Sequence, residues 1–165
     1  MIDRAIAVLR PGVTFGPGGS VGLSDDGFGV YISRWDDDRP QPSQGEIDAA
    51  LREAAAQHVA ELIKAERDRR KGAGCPVGGH VFHSDDSSRI QQLGLVMMGA
   101  SLPAGIMWKT ADNGFVEMTP ALAGQIFAAQ ATRDTQLFAV AQQHIAGAAA
   151  AANPLEYDYS TGWPE

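Results

Sequence analysis

From Glu46 to Lys71 the chain contains neither glycine nor proline, and Gly72-Ala73-Gly74 closes the run. Ser43-Gln44-Gly45-Glu46 at its start matches a capping box. In that arrangement the serine hydroxyl accepts from an early helix N–H and the glutamate reaches back to the serine N–H. One long helix over about Gln44 to Lys71 follows. Its apolar positions, Ile47, Leu51, Ala54, Ala55, His58, Val59, Leu62 and Ala65, form a narrow stripe flanked by Arg52, Glu53, Glu61, Lys64, Glu66 and Arg67. A narrow seam with charged flanks suits a coiled coil, and little else in the N-terminal third could cover such a helix. Self-association through Ile47, Leu51, Ala55, His58 and Leu62 is therefore expected. The alternative is an amphipathic helix lying on its own hairpin.

Glycine and proline punctuate the remainder. Ile2 to Arg10 reads as a short helix or strand ended by Pro11-Gly12. Asp25-Asp26-Gly27 parts Val21-Gly22-Leu23 from Gly29 to Trp35, and Asn113-Gly114 parts Ile106 to Lys109 from Phe115 to Met118. Asx-Gly between apolar runs signals a hairpin, because tight turns demand a positive φ. Cys75-Pro76-Val77 and His80 to His83, around Gly78-Gly79, give a third hairpin. Ser84 is placed to cap a helix from about Asp85 to Ser101, whose apolar face is Ile90, Leu93, Val96, Met97 and Ala100. Thr119-Pro120 starts a last helix running to about Ala152, and its alanine run after Gly147 has little to bury.

The resulting fold class is α+β: small β-hairpins with two long helices and one shorter. Residues 1–42 form a hairpin module, 43–72 a connecting helix, 73–152 a helix–hairpin–helix module and 153–165 an extended tail. In an extended tail Tyr157, Tyr159 and Trp163 share a face. Disordered ends are normally poor in aromatics, so these three predict a docking strap.

Composition sets the outer bounds. A chain of 165 residues, 44% hydrophobic and 20% charged, can form packed cores, in one ordinary domain or two very small ones. With 7% aromatic residues and 19 glycines, a large single core is not expected. Thirteen Lys+Arg against 20 Asp+Glu give a formal charge of −7, which argues against non-specific nucleic-acid binding. A single cysteine, Cys75, rules out an internal disulfide framework and a thiolate metal cluster within one chain. No stretch approaches the roughly 20 apolar residues of a membrane span. Met1-Ile2-Asp3-Arg4-Ala5 lacks the start of a secretory leader, so a reducing cytoplasm is the expected folding compartment.

The sequence offers few groupings that could carry chemistry. His80-Val81-Phe82-His83-Ser84-Asp85-Asp86 holds two imidazoles and two carboxylates, but strand geometry turns His80 and His83 to opposite faces and both aspartates suit a helix start. Gly16 to Gly22 lacks the Gly-Lys-Ser/Thr of a phosphate loop. Asp36-Asp37-Asp38 lacks the spacing of a calcium loop. Cys75 has no partner motif, and His58 and His144 fall on helical stripes. No pair of carboxylates can be singled out for glycan hydrolysis. No catalytic, cofactor-binding or metal residue is assigned, and no cofactor is expected. The profile is that of a structural or interaction protein.

Two segments carry a resemblance. Leu23 to Trp35, with Pro40-Gln41-Pro42-Ser43-Gln44-Gly45-Glu46-Ile47, resembles small phage tail proteins of the XkdW type in its acidic-Gly hairpin, Tyr-Ile…Trp strand and Pro-x-Pro-Ser helix start. Residues Gly79 to Ala146 resemble an uncharacterised domain of phage tail-fibre and tail-fibre-assembly proteins. The matching features are Gly79-His80-Val81-Phe82-His83-Ser84-Asp85, Ser88-Arg89-Ile90, Ile106-Met107-Trp108-Lys109 and Asp112-Asn113-Gly114-Phe115-Val116, with Thr161-Gly162-Trp163-Pro164 at the end. The resemblance implies a context and no reaction. It points to a non-enzymatic virion component at the baseplate or fibre attachment region, made in the host cytoplasm and partnered by other tail proteins. The alternative is a tail-fibre assembly chaperone absent from the virion. It also implies a trimer for the expected homo-oligomer.

Overall fold

The structure is a computed structural model and describes residues 1–164. The fold is α+β, with small two-stranded antiparallel hairpins among four α-helices. Two compact units divide the chain. Unit 1 comprises Met1–Leu62 and Ile145–Asp158, and unit 2 comprises Ile63–His144 and Tyr159–Glu165. Both long helices contribute to both units.

Unit 1 begins with helix α1 (Ile2–Leu9), followed by the hairpin of β1 (Val21–Asp25) and β2 (Val30–Trp35). The segment that sequence left as helix or strand is helical because that period puts Ala5 and Ile6 together on the core, both fully buried. They pack with Ile47, Ala50 and Ala54 of helix α2 (Gln44–Lys71), while Leu23, Ile32, Trp35 and Leu51 close the edges. The capping box forms. The Glu46 carboxylate accepts from the Ser43 N–H at 2.7 Å and from its hydroxyl at 2.8 Å, and the Glu46 N–H donates to Ser43 Oγ at 3.3 Å.

Unit 2 contains the hairpins of β3 (Cys75–Val77) with β4 (His80–Phe82), and of β5 (Met107–Lys109) with β6 (Phe115–Glu117). Between them lies helix α3 (Asp86–Met98), and after them helix α4 (Pro120–Ala150). Phe82, Leu102, Met118, Ala123 and Ile126 form the core, with Trp108 and Val116 facing it from the second hairpin. Burying each large apolar side chain contributes about 1.5–3 kcal/mol.

The α3 start differs from expectation. Asp85, not Ser84, is its cap, and the Asp85 carboxylate accepts from the Ser88 N–H at 3.0 Å. Ser84 is 2% exposed and serves the end of α2 instead. Its hydroxyl donates to the Lys71 carbonyl at 2.6 Å and accepts from the Gly74 N–H at 2.9 Å. A helix end leaves carbonyls without helical partners. Arg133 donates to the Arg70 carbonyl at 2.8 Å and Arg89 to that of Lys71 at 3.3 Å, so three side chains supply what α2 lacks.

Candidate interaction site

Helix α3 turns Ile90, Leu93 and Met97 of its apolar stripe outward, and Val96 inward. Ile90 is 71% exposed, Leu93 42% and Met97 80%, whereas Gln92 is buried at 1%. Only Leu95 and Val96 lean on the core from this helix. The inversion has a local cause. Gln92 donates to the His83 carbonyl at 2.9 Å and accepts from Gln130 of α4 at 2.7 Å, a buried amide pair that fixes the helix rotation. Buried amides demand partners, so the glutamine takes the inner face and the stripe around Ile90 is left outside.

Beside that stripe, α3 and α4 frame a groove of about 310 Å³ lined by Ile90, Leu93, Phe127 and Ala131, with Gln130 in its wall. Arg89 and Asp134 close one end. The guanidinium donates to both carboxylate oxygens, at 2.8 and 3.0 Å, and through Nε to the Ser84 carbonyl at 2.6 Å. A bidentate, half-buried pair of this kind holds the two helices at fixed spacing. Phe127 is 46% exposed in the opening. An apolar concavity with few polar atoms is what a partner's apolar side chain needs.

Residues 53–161 match the family described as a domain of unknown function, DUF4376. The chain belongs to the DUF4376 family. No curated protein and no solved structure matches it. The DUF4376 segment begins inside α2 and includes α3, both hairpins of unit 2, the groove and all of α4. Helix α1 and the β1–β2 hairpin precede it.

The residues expected to form an oligomerisation seam are placed as follows. Ile47 and Ala55 are buried, at 2% and 6% exposure, and Ile47 and Leu51 belong to the core of unit 1. His58, inside the DUF4376 segment, is half-buried with its Nδ1 3.9 Å from Glu61, and Leu62 is 40% exposed. The five therefore do not lie on one open face. Tyr157 lies on Gly147 of α4 within unit 1. Trp163, in unit 2, stacks on the His144 ring at 5.3 Å between centroids, and its indole N–H donates to the Tyr159 carbonyl at 2.7 Å. The Arg70 guanidinium lies 5.3 Å from the indole centroid. A 3₁₀ turn over Pro154–Glu156 precedes the three aromatics, so the tail is not extended from its first residue.

The His80 to Asp86 stretch divides its groups among structural tasks. His80 sits edge-on to Phe82, 4.0 Å from Asp112, while Asp85 caps α3. Hydrogen bonds from the Ser88 hydroxyl and N–H and from Ser87 hold the Asp85 carboxyl well below the usual range. Among the described residues no three His, Cys, Asp or Glu side chains converge as a metal ion would require. Burial pushes the Cys75 thiol up, away from nucleophilic use. No helix among the described residues is long and apolar enough to cross a membrane. The period of the α3 stripe is that of any amphipathic helix and does not distinguish an outward face from an inward one. The signal available was Gln91-Gln92 inside the stripe, with Gln130 to pair it.

Proposed function

We propose that the chain is a non-enzymatic structural component of a bacteriophage tail, in the baseplate or fibre attachment region, that joins other tail proteins. The observation that carries this reading is the solvent-facing apolar stripe of α3, where Ile90 and Met97 stand more than two-thirds exposed and Ile90 also lines the α3–α4 groove. Contiguous exposed apolar surface beside a concavity is the mark of a protein-binding face. The resemblance of Leu23 to Ile47 and of Gly79 to Ala146 to tail proteins supplies the context. On this reading the chain is made in the host cytoplasm and resides in the virion tail.

Mass spectrometry of virions purified from the strain that encodes the chain tests the proposal. Several copies per particle are expected. Presence in producing cells with absence from particles would overturn the virion role and favour the assembly chaperone. Release of envelope fragments by the purified chain would overturn the non-enzymatic reading.

A further inference from the structure

Uncovered apolar side chains are scattered over the chain, Phe28, Met97, Met107 and Phe115 among them, and exposure alone names no occupant. The α3–α4 groove adds a polar atom without a partner. Gln130 is 4% exposed and forms part of the groove wall. The His83 carbonyl can only accept, so the Gln92 amide nitrogen faces it at 2.9 Å and the Gln92 oxygen turns to Gln130. That oxygen accepts from the Gln130 amide nitrogen at 2.7 Å. The orientation of Gln130 is thereby forced: its nitrogen points inward and its Oε1 is left over. No group among the described residues donates to this oxygen. Among the described residues, the sealed side-chain atoms that lack a partner are His58 Nδ1 and Thr110 Oγ1, and Gln130 Oε1 is not one of them. It is therefore reached from outside, through the groove that Gln130 lines.

Filling the groove strips water from that oxygen, which is costly unless the occupant brings a donor. The rest of the wall is apolar, with the half-exposed Phe127 ring beside Ile90, Leu93 and Ala131. The Arg89 guanidinium is already held by three acceptors, Asp134 and the carbonyls of Ser84 and Lys71. What fits is a largely apolar, flat group with one donor.

We propose that the groove takes a tryptophan side chain of another protein, with the indole N–H donating to Gln130 Oε1 and the ring against Phe127. An indole is an apolar body with one donor and no acceptor, and tryptophan is a common anchor of protein interfaces. A phenylalanine ring would cover the oxygen without bonding it. A tyrosine would bring an oxygen that itself seeks a donor. A second copy of this chain does not supply the indole. The Trp35 N–H donates to the Arg39 carbonyl at 2.8 Å, the Trp163 N–H donates to the Tyr159 carbonyl, and Trp108 packs against the core of unit 2. The proposal rests on reading the α3 face as a protein-binding surface, and it names the anchor that surface receives.

The test is a titration of the isotope-labelled full chain with N-acetyltryptophanamide, followed by two-dimensional NMR up to about 10 mM, where weak contacts still populate. Saturable shifts are expected at the Ile90, Leu93 and Gln130 amides. The same amide methylated on the indole nitrogen keeps the ring and lacks the donor, and should bind about tenfold more weakly. Phe127→Ala, a change at a half-exposed side chain, should weaken both compounds. Absence of saturable shifts at these amides overturns the proposal. So does equal affinity for the methylated compound, undiminished binding to the Phe127 variant, or tighter binding of N-acetyltyrosinamide or N-acetylphenylalaninamide. The titration reads the isolated chain and the tail role is read in virions, so either can fail without the other.

Discussion

The Tyr157 ring lies directly on Gly147 of α4: a Cβ added at 147 would come within 2.8 Å of Cζ and 2.9 Å of Cε2. Gly124, on the same helix, has nothing within 4 Å of the corresponding position. Alanine is the better helix former by about 0.8–1.0 kcal/mol. Gly124→Ala should therefore stabilise the protein by up to that amount. Gly147→Ala should destabilise it by roughly 1 kcal/mol net, because overpacking costs about 1–3 kcal/mol. Urea unfolding of the two variants reads the opposite signs. Equal stabilisation would show that the tail is not seated on α4.

Ser84→Ala removes one hydroxyl, which leaves the buried Gly74 N–H without its acceptor and the partly buried Lys71 carbonyl with only Arg89 as a side-chain donor. A loss of about 1–3 kcal/mol is expected. A loss below about 0.5 kcal/mol in denaturant unfolding, the range of an ordinary surface change, would contradict the bridging role.

Ile47→Ala should cost about 2–5 kcal/mol, as for a large-to-small change in a core, and Leu62→Ala clearly less. The Ile47 loss should not vary with protein concentration, since its partners, Ala5 and Ile6 among them, lie in the same chain. A loss that grows on dilution would instead place Ile47 in an intermolecular seam.

Glu66 binds two arginines, Arg69 at 2.7 and 2.8 Å and Arg70 at 2.6 Å. The Arg69 bonds, then those of Arg70, lower its carboxyl from 4.5 to about 2. A depressed carboxyl adds stability that is complete above its unfolded value and disappears as pH falls through its folded value. Melting temperatures should thus drop between about pH 4.5 and 2, and Glu66→Gln should flatten that part of the profile. Both partners are partly solvated, so the effect is small and weakens with salt. An unchanged profile in the variant would remove Glu66 as a contributor.

Much of the fold was legible because its signals are local. Asp26-Gly27, Gly78-Gly79 and Asn113-Gly114 each mark a hairpin turn that forms, and Asn113 takes the positive φ of 64° that asparagine tolerates. Ser43 and Glu46 announced the start of α2. The rest depends on contacts distant in sequence. Ser84 looks like a cap for the helix after it, yet it completes the helix before it, because the Lys71 carbonyl is brought beside it by the β3–β4 hairpin. The stripe of α3 looks like a core face, yet Gln92 is held inside by Gln130, 38 residues away. The alanine run of α4 looks empty, yet Ala148 is fully buried and Gly147 carries Tyr157. Composition could not reveal any of these, since each is a choice between two faces that both satisfy the local pattern.

The apolar face of α3 is proposed to serve assembly of a tail. The measurement that tests it most directly is the copy number of the chain in purified virions, by quantitative mass spectrometry, for the wild type and for Ile90→Gln/Leu93→Gln. Several wild-type copies per particle are expected, with strong depletion of the variant at equal expression. A variant retained at the wild-type level, or a wild-type chain absent from the particles, would contradict it.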